Sequence, residues 1–285
     1  MSMDESAELP DGIAFAPVGP ESPYRIKRCR HGTMLYNTND RYIGEALERY
    51  GEYGELELQV LLQLVRPGDT VIEAGANIGC HTVPIAKALR PNGALVVFEP
   101  QRLTYQLLCA NLALNGLWNV YARHAAAGRA PGQIPVRLLD PGSKQNFGGL
   151  SLVGSEKGEP VPVETIDSFS LANCRMIKAD VRGMESDVLA GAEATIKRCR
   201  PMLYVENESE VTSPALIRQI QSYGYRLWDH RPLLYNPANR AGVSENLYPN
   251  VVSLNMLCIP QEVTVKIDLR EIRTPSDWVV PVKPS

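Results

Sequence analysis

At 285 residues the chain is long enough for one large α/β domain with extensions, and too short to favour two full domains. Its 29 Lys and Arg against 32 Asp and Glu leave a net charge of -3, without the clustered basic patch that grips a nucleic-acid backbone. No apolar run approaches the roughly 18 to 20 residues that span a bilayer, and the acidic start MSMDESAELP lacks the basic-then-apolar order of a signal peptide, so a soluble, cytoplasmic protein with no membrane span is expected.

Residues 1–23 are rich in Pro, Gly, Glu and Ser without periodicity and read as a flexible arm. A strand and helix cap is expected over 24–66. It begins with short strands over 24–39 that turn at His31 and Gly32, and its RIKRCR run (25–30) reads as an edge strand with a solvated face. Two helical pieces follow over 42–65, broken near Gly51 and Gly54 and stopped by Pro67, Gly68 and Asp69. The main domain, 67–260, then alternates. Strands are predicted over 70–74, 94–99, 120–126, 176–180, 202–206, 225–229 and 253–259, and helices over 81–89, 103–114, 187–199 and 214–223. A Gly- and Pro-rich excursion over 128–164 carries strand-like pieces at 134–139 and 161–163. The tail, 261–285, opens with the alternating run QEVTVKIDLR, which could pair with a second subunit to give a homodimer. Six cysteines lie singly with no CxxC pair, which signals neither zinc nor a disulfide framework. The alternation implies βαβ units winding into a mostly parallel sheet with helices on both faces and ligands at the carboxyl ends of its strands.

The block VIEAGANIGCHT (71–82) places Glu73 at a strand end, then Gly75, Asn77 and Gly79, then a helix start. Glycines there permit a sharp turn and close approach of a ligand, and helix amides face it. The next strand, ALVVFEP, ends in Glu99, twenty positions after Gly79, where a carboxylate can accept both hydroxyls of a ribose. NAD and S-adenosylmethionine both fit such a site. A dinucleotide wants GxGxxG, whereas Asn77 stands here in place of a glycine, and Glu73 would repel a pyrophosphate while suiting an ammonium and a sulfonium. The balance favours S-adenosylmethionine.

Seven segments in order resemble the FkbM-type S-adenosylmethionine-dependent methyltransferases: YIGEALERYGEYGELE (42–57), VIEAGANIGCHT (71–82), FEPQR (98–102), LCANLALNG (108–116), IKADVRGMESDVLAGA (177–192), PMLYVEN (201–207) and SLNMLCIP (253–260). The resemblance implies a class I methyltransferase fold, a Rossmann-like seven-stranded sheet whose last strand is antiparallel. It also implies methyl transfer from S-adenosyl-L-methionine, leaving S-adenosyl-L-homocysteine, most often to a hydroxyl oxygen of a sugar or secondary metabolite. Carried onto this sequence, Glu73, Gly75, Asn77 and Gly79 would cradle the methionine part, Glu99 would hold the ribose, and Ala125 and Ala126 would lie near the adenine. Tyr50 and Glu55 fall on a segment that looks like a lid over the cofactor, with Gly54 where the family usually has Ser.

Asp180 and Glu206 end the fourth and fifth strands and are candidate general bases for an acceptor hydroxyl; Asp180 could instead cap the next helix or pair with Lys178 or Arg182. His230, in WDHRPLLYNPAN, is a third candidate base or a loop anchor. Asn207 and Asn246 are expected on the substrate side. Arg182 is the departure: the resembling family's DVEG has a second carboxylate there, which could help hold a divalent cation, so no metal is assigned. Pointing into the cleft, Arg182 would lower the pKa of Asp180 or recruit an anionic acceptor; pointing outward, it would be a solvated loop charge. The expected function is therefore O-methylation of a small-molecule acceptor, with no nucleic-acid partner. The competing readings are a catalytically impaired cofactor-binding interaction protein and an NAD-linked oxidoreductase.

Overall fold

A computed structural model of the chain describes residues 22–154 and 157–277. The expected arm thus lies outside the described residues save for 22–23, as does 278–285 at the end of the tail. The first elements are an antiparallel hairpin of β1 (Tyr24–Cys29) and β2 (Gly32–Asn37), then helices α1 (Ile43–Tyr50) and α2 (Glu55–Leu64). Gly51, at φ +68°, ends α1 by donating its N–H to Leu47 O. The βα series follows: β3 (Thr70–Ala74), α3 (Thr82–Ala88), β4 (Ala94–Phe98), α4 (Arg102–Leu114) and β5 (Val120–Arg123). Three short strands, β6 (Ala126–Ala127), β7 (Gly132–Val136) and β8 (Glu159–Glu164), leave the main series. It resumes with β9 (Met176–Ala179), α5 (Glu185–Ala190), α6 (Glu193–Cys199), β10 (Met202–Glu206), α7 (Ser213–Ser222), β11 (Tyr225–His230), β12 (Asn255–Pro260) and β13 (Arg270–Ile272).

The main sheet has the order β5-β4-β3-β9-β10-β12-β11-β13, with β12 and β13 antiparallel to the other six. Its first seven strands follow the class I methyltransferase order, and β13 adds an eighth at the edge. Side-chain alternation along the strands feeds two cores. Val71, Leu95, Val97, Met176, Tyr204 and Trp228 face the hairpin and α2 to α4, while Ile72, Val96, Phe98, Ile177, Leu203 and Leu227 face α5 to α7. Among the described residues no helix is long and apolar enough to cross a membrane.

Three expectations need correction. The strand over 120–126 is two strands: β5 ends at Arg123, and Ala126 pairs in parallel with Val163 in a separate sheet of order β6-β8-β7. Ala126, Val136, Val161 and Leu152 bury one another there, which draws the chain off the main sheet. The helix over 187–199 is likewise two helices. Gly191 lies so close to Gly128 that a Cβ would stand 1.9 Å from its carbonyl oxygen, and Asp167 starts α6 by accepting from Ala194 N (2.9 Å) and Thr195 N (2.8 Å). Finally, the tail run over 261–270 forms no strand until β13, which pairs with β11 of its own chain, Leu227 opposite Ile272.

Candidate functional site

The carboxyl ends of β3 and β4 build one wall. After β3 the chain turns so sharply that Gly75 N and Ala76 N both donate to Phe98 O at 3.0 Å. Gly75 sits at φ +86°, and a Cβ on it would fall 1.9 Å from the carbonyl oxygen of Asp180, so the loops after β3 and β9 touch through backbone alone. Asn77, at φ +50°, donates its N–H to Glu99 Oε2 (2.9 Å), and Gln101 N–H donates to Glu99 Oε1 (2.8 Å). Burial pushes the Glu99 carboxyl up to about 7, although these two amides favour its charged form.

A polar row crosses the sheet on the face toward α2 and α3. Glu73, Lys178 and Tyr204 stand opposite one another on β3, β9 and β10. Lys178 Nζ lies 3.7 Å from Glu73 Oε1 and 3.3 Å from Asp180 Oδ2, and Thr82 Oγ1 donates to Glu73 Oε2 at 2.6 Å. Burial opposes the Lys178 charge, but Asp180, Glu73 and Glu57 outweigh it and hold its pKa above the ordinary lysine value. Burial also pushes the Asp180 carboxyl up; Lys178 and then Arg182 overcome this, so it stays below the ordinary range and is ionised at neutral pH. Over this row sit Glu57 from α2, whose carboxyl burial raises, and His81 from the loop before α3, pushed down to about 4 by burial and by Lys178. His81 is therefore neutral, and its Nδ1 contact to Glu57 Oε1 (3.6 Å) is not an ion pair at neutral pH.

Arg182 turns inward. At φ +51° it presents its backbone N–H to Glu206 Oε2 (3.2 Å), while its Nη1 lies 3.4 Å from Glu206 Oε1 and pairs with Glu208. Its carbonyl oxygen accepts from Ser151 Oγ at 2.9 Å. Burial and the Asp180 charge hold the Glu206 carboxyl above the ordinary range despite this guanidinium.

These groups line a cavity of about 330 Å³, within the range of small-molecule sites. Of the residues singled out from sequence, Glu73, Gly75, Asn77, Glu99, Ala126, Asp180, Arg182 and Glu206 are on its wall. Others lie off it. Gly79 faces Leu108, where a Cβ would stand 2.9 Å from Cδ1, and Ala125 is in the core against α5 to α7. Tyr50 ties down a loop, its hydroxyl donating to Glu245 O (3.0 Å) and accepting from Leu247 N (2.8 Å); Glu55 pairs with His31 Nε2 at 2.6 Å. His230 Nδ1 and the Tyr204 hydroxyl share a hydrogen bond of 2.8 Å behind the row. Asn207 donates its backbone N–H to Leu254 O, and Asn246 is exposed and accepts from Tyr248 N. Sequence reasoning missed Glu57, His81 and Gln101 on the wall, and named Lys178 only as a possible partner of Asp180, which it is at 3.3 Å. Among the described residues seven buried side-chain polar atoms have no hydrogen-bond partner, and four of them, Glu57 Oε1, His81 Nε2, Gln101 Nε2 and Arg182 Nε, belong to residues of this wall.

The model of the methyltransferase FkbM domain matches residues 73–227, more than half of the chain. Among solved structures, an FkbM methyltransferase from Methylobacillus flagellatus KT is similar at 17% identity and a TM-score of 0.46, over 69% of this chain and 45% of that one. The chain thus spans less than half the length of that relative. A precorrin-6y C5,15-methyltransferase from Geobacter metallireducens GS-15 is 13% identical, over 75% of this chain and 94% of that one, at a TM-score of 0.46. An S-adenosylmethionine-dependent O-methyltransferase from Thermotoga maritima is 12% identical, over 86% and 80%, at a TM-score of 0.43. No curated protein matches.

Proposed function

The chain belongs to the FkbM methyltransferase family, and from that premise we propose that it transfers a methyl group from S-adenosylmethionine to a hydroxyl oxygen of a small molecule. One observation carries the reading: the gathering of partnerless buried polar atoms on the wall of a single cavity at the carboxyl ends of parallel strands. The donor set fits the cofactor. Glu99, with each oxygen already holding one backbone amide, keeps lone pairs for two ribose hydroxyls. Glu73 and Asp180, against the one Lys178, give the wall the negative charge that suits a sulfonium and an ammonium. When bound, the cofactor supplies an electrophilic methyl carbon.

Asp180 is the group placed to act on the acceptor. Its side chain is 35% exposed at the end of β9, it is ionised at neutral pH, and one of its oxygens is held by Lys178. It orients an acceptor hydroxyl and accepts its proton as the C–O bond to the methyl carbon forms and the methyl–sulfur bond breaks, its electron pair staying on the sulfur of S-adenosylhomocysteine. Leu150, Leu152 and Leu234 give the cavity an apolar stretch of wall. The size of the acceptor follows from the size of the cavity. Its charge follows from the rim, where the Arg182 charge is taken up by Glu208 and the Glu206 carboxyl is held above the ordinary range, so no free positive charge is left for a phosphate and a neutral polyol suits it.

Calorimetry with S-adenosylmethionine and with NAD, followed by incubation of labelled S-adenosylmethionine with a panel of hydroxylated small molecules, tests this reading. Binding of S-adenosylmethionine and label on a hydroxyl oxygen are expected. Binding of NAD alone would sink the cofactor assignment, and transfer to RNA or to an amine would sink the acceptor class.

A further inference from the structure

Gln101 begins α4 as its N-cap. Its side-chain Oε1 accepts from Thr104 N (2.9 Å) and from Thr104 Oγ1 (3.2 Å), and its own N–H donates to Glu99 Oε1. Only the oxygen of a carboxamide can accept from a backbone N–H, so the cap fixes which end of the side chain is which. The other end is the NH2 group. That Nε2 is buried without a hydrogen-bond partner in a residue only 3% exposed, and Gln101 lines the cavity next to Pro100 and Glu99. A serine or threonine would cap the helix equally well, so the cap does not explain the second, costly polar end.

We propose that Gln101 Nε2 donates a hydrogen bond to a lone pair on the nucleoside half of S-adenosylmethionine. Gln101 and Glu99 would then read that half together. The Glu99 carboxylate can only accept, and takes the ribose hydroxyl protons. The Gln101 NH2 can only donate, and takes an acceptor atom, either adenine N3 or the ribose 2′ oxygen. The inference rests on the cofactor reading above and adds to it a residue that determines cofactor affinity.

The test is calorimetry of S-adenosylhomocysteine binding to the wild type, Gln101→Ser and Gln101→Glu, with thermal melts of each ligand-free protein. Both variants keep an oxygen for the cap; Gln101→Ser should melt close to the wild type and Gln101→Glu lower, because its carboxylate is buried beside Glu99. Gln101→Ser should bind about three- to tenfold more weakly, the range expected for one lost neutral hydrogen bond. Gln101→Glu should lose more, because a donor becomes an anionic acceptor. Two ligand analogues locate the partner: 3-deaza-S-adenosylhomocysteine lacks adenine N3, and a 2′-deoxy analogue lacks one ribose oxygen. The analogue missing the contacted atom should bind the wild type weakly and lose nothing further in Gln101→Ser. Equal dissociation constants for all three proteins would overturn the proposal, as would full additivity with both analogues or a lowered melting point with unchanged affinity. Failure of the wild type to bind S-adenosylhomocysteine at all would instead bring down the cofactor reading beneath it.

Discussion

Single residues divide the work of the site by their protonation states. Asp180 stays ionised because Lys178 and Arg182 outweigh its burial. Asp180→Asn keeps the shape and removes the proton acceptor, so the rate of methyl transfer should fall about 10²- to 10⁴-fold. Calorimetry should find a much smaller loss of S-adenosylhomocysteine affinity, because Glu73 still faces the ammonium and this ligand has no sulfonium; an intact transfer rate would remove Asp180 from the chemistry. Glu99 behaves in the opposite way. Its folded pKa is raised to about 7, so its contribution to folding is present below its ordinary carboxylate pKa and is lost as pH rises through 7. Ligand binding runs against that trend, because ribose hydroxyls need the charged carboxylate. Affinity for S-adenosylhomocysteine should therefore rise by up to about tenfold between pH 6 and pH 8. Glu99→Gln should flatten the profile, and a wild-type affinity independent of pH would refute the placement. The strand-end acids Glu99, Asp180 and Glu206 were legible because a parallel sheet presents its carboxyl ends to ligands. Lys178 was legible as a partner of Asp180 but not of Glu73, because its place opposite Glu73 depends on the register of β3 against β9. Glu57 was masked by Glu55, two positions away on α2: residues so spaced point apart on a helix, and both are buried here, Glu55 against His31 and Glu57 over the polar row.

At the level of elements, the site depends on two loops meeting without side chains between them. Gly75 brings the turn after β3 against the carbonyl of Asp180, and neither backbone has room to yield. Gly75→Ala combines a strained φ with a clash against backbone, and should cost about 2 to 4 kcal/mol in chemical denaturation, with weaker S-adenosylhomocysteine binding. A stability within experimental error of the wild type would show that the loops can part freely. The order of strands and helices could be read from periodicity, because each element buries one face. The breaks could not. β5 and β6 separate, and α5 and α6 separate, because of partners distant in sequence: Val163 draws Ala126 away, and Asp167 and Gly128 interrupt the helix at Gly191. A local pattern contains no record of such contacts.

Across the whole molecule, the sheet separates two cores, and the polar row of the site stands on the face of the first, while Phe98 and Ala127 of the second reach the cavity wall. Glu73, Lys178 and Tyr204 share the face of the first core, under the hairpin and α2 to α4, whereas Ile272 of β13 belongs to the second, with Leu216, Ile217 and Leu227. The tail shows how far alternation can be trusted. Val265, Ile267 and Leu269 do turn inward against the first core, so their period of two reports burial, but no strand is hydrogen-bonded to that stretch. Only β13 beyond it forms a ladder, and it covers the edge of β11 from within the same chain. Ile272→Ala removes a side chain that is 4% exposed and should cost about 2 to 4 kcal/mol of unfolding free energy. Because β11 and β12 stand between β13 and the strand ends that carry the acids, S-adenosylhomocysteine affinity should be unchanged in calorimetry of the folded variant. A loss of affinity alongside the loss of stability would mean that the edge strand is coupled to the site through the sheet.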